Sequence, residues 1–92
     1  MKGTQGTGEK ILVVDVEPII CNFVSELLAD FADVTTSQKL EEAKGLLSQK
    51  EFKLAIFDLS LSGRQGKEGF ELLKHVRATS PKTKVVIMTG VY

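Results

Sequence analysis

Three short apolar runs, each closing on an oxygen-bearing side chain, constrain this chain more than any other feature. They are I-L-V-V-D from Ile11 to Asp15, L-A-I-F-D from Leu54 to Asp58 and V-V-I-M-T from Val85 to Thr89. Successive strand residues point to opposite faces, so an unbroken apolar run predicts a strand covered on both sides. Val34, Thr35 and Thr36 are β-branched and predict one more short strand. Between the strands, apolar residues recur at three- and four-residue steps, as on helices with one buried stripe. Ile20, Phe23, Val24, Leu27, Leu28 and Phe31 form the first stripe, and Leu40, Ala43, Leu46 and Leu47 the second. Phe70, Leu72, Leu73 and Val76 form the third, which stops near Ser80-Pro81.

The local signals agree with this reading. Pro18 suits the first turn of a helix, where its missing N–H costs nothing. Glu41 and Glu42 fall in the first turn of the second helix, where the dipole favours acids. Met1 to Glu9 is glycine-rich and reads as a flexible tail, and G-R-Q-G-K-E-G from Gly63 to Gly69 as a long loop. The order β-α-β-α-β-α-β predicts an α/β fold, a doubly wound parallel sheet with right-handed crossovers, over residues 10–92.

Bulk properties narrow the function. Ninety-two residues make one small domain, with 12 basic and 12 acidic side chains. No basic excess points to nucleic acid or an anionic membrane, so neither is an expected partner. No apolar run approaches the roughly 18–20 residues of a membrane span, and the N-terminus lacks the apolar core of a signal peptide. Cys21 is the one cysteine and is expected to be small and partly buried on the first helix. The expectation is a soluble cytoplasmic domain.

In an open parallel sheet, sites form beyond the carboxyl ends of the strands. Asp15, Asp58 and Thr89 all arrive there. Two neighbouring carboxylates repel unless a cation lies between them, and Mg²⁺ is held by one or two carboxylates plus waters and phosphate oxygens. Other chemistries fit less well. G-T-Q-G-T-G-E-K has a glutamate inside the Gly-Lys pair of a P-loop and precedes its strand. D-L-S-L-S lacks the second aspartate of dehalogenase-type phosphatases, Ser60 standing in its place. His75 is expected to be solvated, without a zinc-binding companion.

The segments I-L-V-V-D-V-E-P, L-A-I-F-D-L-S-L-S-G, G-F-E-L-L-K-H-V-R and V-V-I-M-T-G, in this order, resemble the receiver domain of two-component response regulators. The resemblance implies a flavodoxin-like receiver fold and a non-enzymatic module, phosphorylated on Asp58 by a sensor histidine kinase or phosphotransfer protein. It implies Thr89 as the switch hydroxyl, with Gly90 leaving room for the phosphoryl group. The metal site would be Mg²⁺ on Asp15, Asp58 and the Ser60 backbone carbonyl.

Departures from the pattern matter as much. The family's second acid after the first strand is Val16 here, which removes a direct metal ligand; Glu17 is the candidate substitute. Ser62 stands where a proline is common, and the loop before Gly69 and Phe70 is about three residues longer than usual. The chain stops after the fourth strand, so the fold is expected to lack the last strand and helices, with their lysine and aromatic switch. An uncovered fourth strand invites pairing with a second copy or a continuing chain. The alternative to phosphoacceptance is a pseudo-receiver that binds partners without phosphate.

Overall fold

The computed structural model describes residues 8–58 and 67–88. Seven elements follow in the expected order: β1 (Lys10–Val14), α1 (Pro18–Leu28), β2 (Asp33–Ser37), α2 (Leu40–Gln49), β3 (Leu54–Asp58), α3 (Lys67–Thr79) and β4 (Lys84–Met88). All strand pairs are parallel, and the sheet order is β2-β1-β3-β4. From β1 the chain moves one way to β2, then returns past β1 to β3 and β4. Right-handed crossovers therefore place α1 on one face and α2 and α3 on the other.

The side chains record that division. Leu12, Val14, Ala55 and Phe57 point towards α2 and α3, where they form one core with Ala43, Leu47, Leu72 and Val76. Val85 and Ile87 of β4 pack against the same core. Val13, the alternate residue of β1, is fully buried on the α1 face. A strand apolar on both faces is thus used on both faces, but the two layers are unequal. Phe52, just before β3, is also buried in the core. Thr83 closes the same end by donating a 2.6 Å hydrogen bond from its hydroxyl to the Phe52 carbonyl. Ser80 donates likewise to the Leu47 carbonyl at 3.2 Å, fastening the end of α3 to α2.

Four expectations need correction. The loop expected up to Gly69 ends earlier, because α3 begins at Lys67; Gly69 lies in its first turn and is buried. In the first apolar stripe, Phe23 and Leu27 are 61% and 60% exposed, and Phe31 lies beyond the helix and is exposed as well. Here the 3.6-residue period places apolar side chains on one flank, but among the described residues no element covers that flank. Phe70 is likewise exposed, so α3 is anchored by Leu72, Leu73 and Val76 without it. Finally, the Nε2 atom of His75 is buried and has no hydrogen-bond partner among the described residues, where a solvated ring was expected.

Candidate functional site

The sheet order reverses between β1 and β3, and a crevice forms at such a switch point beyond the strands' carboxyl ends. Val14 pairs with Phe57 in the β1–β3 register, so the next residues, Asp15 and Asp58, stand at adjacent strand ends. Asp15 is only 5% exposed. Its position is fixed from three sides. Its backbone N–H donates to the Ser37 carbonyl at 3.0 Å, which extends the β1–β2 pairing by one residue. Its Oδ1 accepts the Glu17 N–H at 2.9 Å, an Asx-type turn that leads the chain into α1. Its own carbonyl accepts the thiol of the buried Cys21 at 3.4 Å.

The helix start follows from this turn. Pro18 occupies the first turn of α1, as expected, and the Glu17 carbonyl accepts the N–H groups of Ile20 and Cys21. Cys21 is more buried than its sequence suggests, at 2% exposure. Burial pushes its thiol above the ordinary range, so it is a structural thiol rather than a nucleophile. Ser37, which sequence reasoning passed over, is buried at the end of β2 and lies 3.0 Å from Glu42 Oε1, to which its hydroxyl donates. A serine just ahead of an acid-rich first helical turn is the signal that could have marked it.

Electrostatics make the carboxylate pair costly. Burial raises the Asp15 carboxyl above its usual value most of all, and the Glu17 N–H opposes this; the charges of Asp58 and Glu17 then raise it again. A divalent cation fits such a donor set, because it would neutralise the repulsion between the two acids. Val16 is 47% exposed and offers no ligand atom. Among the described residues no group of three His, Cys, Asp or Glu side chains is gathered for a metal. Ser60, Thr89 and Gly90 lie outside the described residues. Asp58 pairs with Met88 in the β3–β4 register, so Thr89 is the next residue of the neighbouring strand's sequence.

Residues 11–91 match the profile of the response regulator receiver domain. The chain belongs to that family. Among solved structures, this receiver domain is similar to a CheY-like receiver domain protein from Methanospirillum hungatei JF-1, at 25% identity and a TM-score of 0.82; the match covers 94% of this chain and 67% of that one. It is similar to the beryllofluoride-activated receiver domain of DrrB at 28% identity and a TM-score of 0.76, covering 94% of this chain and 69% of that one. DrrB is an OmpR/PhoB homologue of Thermotoga maritima. A response regulator of Burkholderia pseudomallei, solved with a phosphorylated aspartic acid, a calcium ion and citrate, shares the fold at 20% identity and a TM-score of 0.79. That match covers 91% of this receiver domain but only 48% of the Burkholderia chain, so this chain spans about half its length. No curated protein matches the sequence significantly. The fold is thus the flavodoxin-like receiver fold, here with four parallel strands and three helices described. No helix among the described residues is long and apolar enough to cross a membrane.

Proposed function

We propose that residues 10–92 act as a phosphoacceptor in two-component signalling, with Asp58 as the residue phosphorylated. The observation that supports this best is that Asp15 and Asp58 follow the paired residues Val14 and Phe57 at the switch point, where the ionised Asp15 is disfavoured by burial and by the charge of Asp58. Structural acids are seldom gathered at such a cost. In this reading an Asp58 carboxylate oxygen attacks the phosphorus of a phosphohistidine on a sensor kinase or phosphotransfer protein. The P–N bond breaks as the O–P bond forms, and the imidazole leaves with the electron pair and takes up a proton. Asp15, held by the Glu17 N–H, would hold Mg²⁺ together with Asp58 and the Ser60 carbonyl, with Glu17 as a further candidate. When bound, Mg²⁺ neutralises charge on the transferring phosphoryl group. Thr89 would then hydrogen-bond the phosphoryl oxygens, beside the small Gly90.

A second reading rests on a specific observation. The half-exposed Val16 leaves the site with fewer acids than its family pattern, which favours a pseudo-receiver that binds partners without phosphate. The sequence also points to pairing of two copies along β4, the outer strand of the described sheet. Intact-mass spectrometry after incubation with acetyl phosphate and Mg²⁺ separates the first two readings. A phosphoryl adduct that is absent from Asp58→Asn supports the phosphoacceptor; an adduct that persists in that variant sinks the assignment of Asp58. Partner binding that ignores Mg²⁺, beryllofluoride and Asp58→Asn would establish the pseudo-receiver.

A further inference from the structure

We propose that Glu42, in the first turn of α2, is a positioning residue for Asp15 and acts through the hydroxyl of Ser37. Its use depends on the phosphoacceptor reading above, because what it places is the carboxylate beside Asp58. The geometry starts from the end of β2. This strand lies at one side of the described sheet, with β1 as its neighbour. A strand end paired on one side opens locally unless something else holds it. The turn that leaves β2 borders an open cleft of about 490 Å³, lined by Thr36, Ser37, Gln38, Lys39 and Glu42. Yet the last rung of this strand is the one that reaches the site, where the Asp15 N–H donates to the Ser37 carbonyl at 3.0 Å.

The Ser37 hydroxyl is the hub of that turn. Ser37 is 3% exposed, and its Oγ lies 3.0 Å from Glu42 Oε1 and 3.1 Å from the Lys39 carbonyl. A hydroxyl has one proton to donate. The Lys39 carbonyl already accepts the Ala43 N–H, and a carboxylate is the stronger acceptor, so the proton goes to Glu42. The Ser37 oxygen in turn accepts the Lys39 N–H at 3.4 Å. Lys39 caps α2 without a side-chain hydrogen bond of its own. An acid at the third helical position, which Glu42 occupies, ordinarily reaches back to the N–H of the cap residue. Here it takes the Ser37 hydroxyl instead, and one carboxylate fastens the strand end to the helix start.

The contacts continue to the Asp15 carboxylate. The Cys21 thiol lies 3.4 Å from the Asp15 carbonyl and 3.8 Å from the Ser37 carbonyl, so α1 pins the same rung from the other side. Asp15 Oδ1 then accepts the Glu17 N–H at 2.9 Å. The Asp15 main chain is thus held from β2 and from α1, and its side chain by one N–H. Without the Ser37 hydroxyl, the end of β2 keeps only that rung and the thiol. The Asp15 main chain can then shift, and its carboxylate moves relative to Asp58 at the adjacent strand end.

A role in the helix start alone would make Glu42 a stability residue and leave Asp15 untouched. The continuous path from Glu42 Oε1 through Ser37 to the Asp15 N–H is what sets positioning apart from capping. Partners that hydrogen-bond a metal-binding side chain directly are worth about 10–100-fold in metal affinity. Glu42 acts one rung of backbone further away, so a smaller factor, about fivefold, is expected.

The test uses the full 92-residue chain and begins with amide hydrogen exchange, read by NMR without added metal. The Asp15 and Glu17 amides should exchange about fivefold or more faster in Ser37→Ala and in Glu42→Ala, and by a larger factor than the core amides of Ala55 and Phe57. Glu42 is exposed, so Glu42→Ala retains the fold even if Ser37→Ala does not. The double variant should match Ser37→Ala, because the acid acts through the hydroxyl. In labelling by acetyl phosphate, both single variants should need about fivefold more Mg²⁺ for half-maximal rate, and Ser37→Thr, which keeps the hydroxyl, should restore the wild-type value. Asp15 and Glu17 amides that quicken no more than the core overturn the positioning. Additive effects in the double variant overturn the route through Ser37. Faster exchange with an unchanged Mg²⁺ requirement overturns its use at the site. A wild-type chain that takes no label sinks the phosphoacceptor reading instead, and hydrogen exchange still decides the positioning.

Discussion

Replacing Val16 with aspartate tests the reading of the site most directly. Val16 is 47% exposed, so the substitution removes little buried surface and costs less than about 1 kcal/mol in lost burial. It also adds a third acid beside Asp15, whose ionised form is already disfavoured by burial and by the charges of Asp58 and Glu17. Without a divalent cation, we expect Val16→Asp to lose about 1–1.5 kcal/mol, combining the lost burial with roughly 0.5–1 kcal/mol of like-charge repulsion near the surface.

Mg²⁺ should offset most of this loss. If two acids bind with a dissociation constant of about 10 mM, then about 10 mM Mg²⁺ stabilises the fold by roughly 0.4 kcal/mol. A third carboxylate that tightens binding about tenfold raises this to roughly 1.4 kcal/mol. The difference of about 1 kcal/mol corresponds to a melting-temperature shift about 4–8 °C larger in Val16→Asp than in wild type for a domain of this size. The assay is thermal unfolding followed by far-ultraviolet circular dichroism, with and without Mg²⁺, using Ca²⁺ and high NaCl as controls. A Mg²⁺ shift no larger in Val16→Asp than in wild type would refute the argument that position 16 borders the metal site.

Three other expectations follow from the same geometry. Asp15→Asn should make the Mg²⁺-free fold more stable at about pH 7: with its carboxyl raised, the folded chain binds that proton more readily than the unfolded chain, so ionisation opposes folding. That penalty is complete above the folded-state value and is relieved as pH falls into the ordinary carboxylate range, so the advantage of Asp15→Asn in urea unfolding should shrink on acidification; an advantage that grows would contradict it. Thr83→Val should lose about 1–2 kcal/mol, because the buried Phe52 carbonyl forfeits its 2.6 Å hydrogen bond, and an unchanged urea midpoint would show that carbonyl to be satisfied otherwise. Leu72→Ala, at a fully buried position, should cost about 2–5 kcal/mol, a large share of a domain stability of about 5–14 kcal/mol, and native-like cooperativity with a loss below about 1 kcal/mol would place Leu72 outside the core.

The strands were legible because their signal is redundant. An apolar run such as Ile11–Val14 needs partners on both faces, and the structure gives Leu12 and Val14 to one layer and Val13 to the other. The two aspartates were legible for a related reason, since a carboxylate directly after a buried strand has few places to go besides the strand ends. What periodicity could not convey is whether a layer is complete. The spacing of Phe23 and Leu27 is the same whether another element covers them or solvent does. Phe52 stands alone between charged neighbours, so no pattern announces that it fills the core beneath β3. Local chemistry was similarly silent about Cys21, whose thiol binds two carbonyls contributed by different strand ends.

These features meet at Asp15. The same residue ends the apolar strand, closes the turn into α1 through the Glu17 N–H, and accepts the Cys21 thiol on its carbonyl. Its backbone therefore belongs to the scaffold, while its carboxylate works against the scaffold, buried and next to another acid. A purely structural role would be met by asparagine, which offers the same oxygen to Glu17 without the charge. The charge is what asparagine lacks, and under the proposed function its use at this position is to draw a cation towards Asp58. On the same proposal, valine in place of an acid at position 16 would weaken that attraction and leave its direction unchanged. On this reasoning Asp15, more than Asp58, is the residue whose substitution should separate stability from metal response: Asp15→Asn gains the first and loses the second.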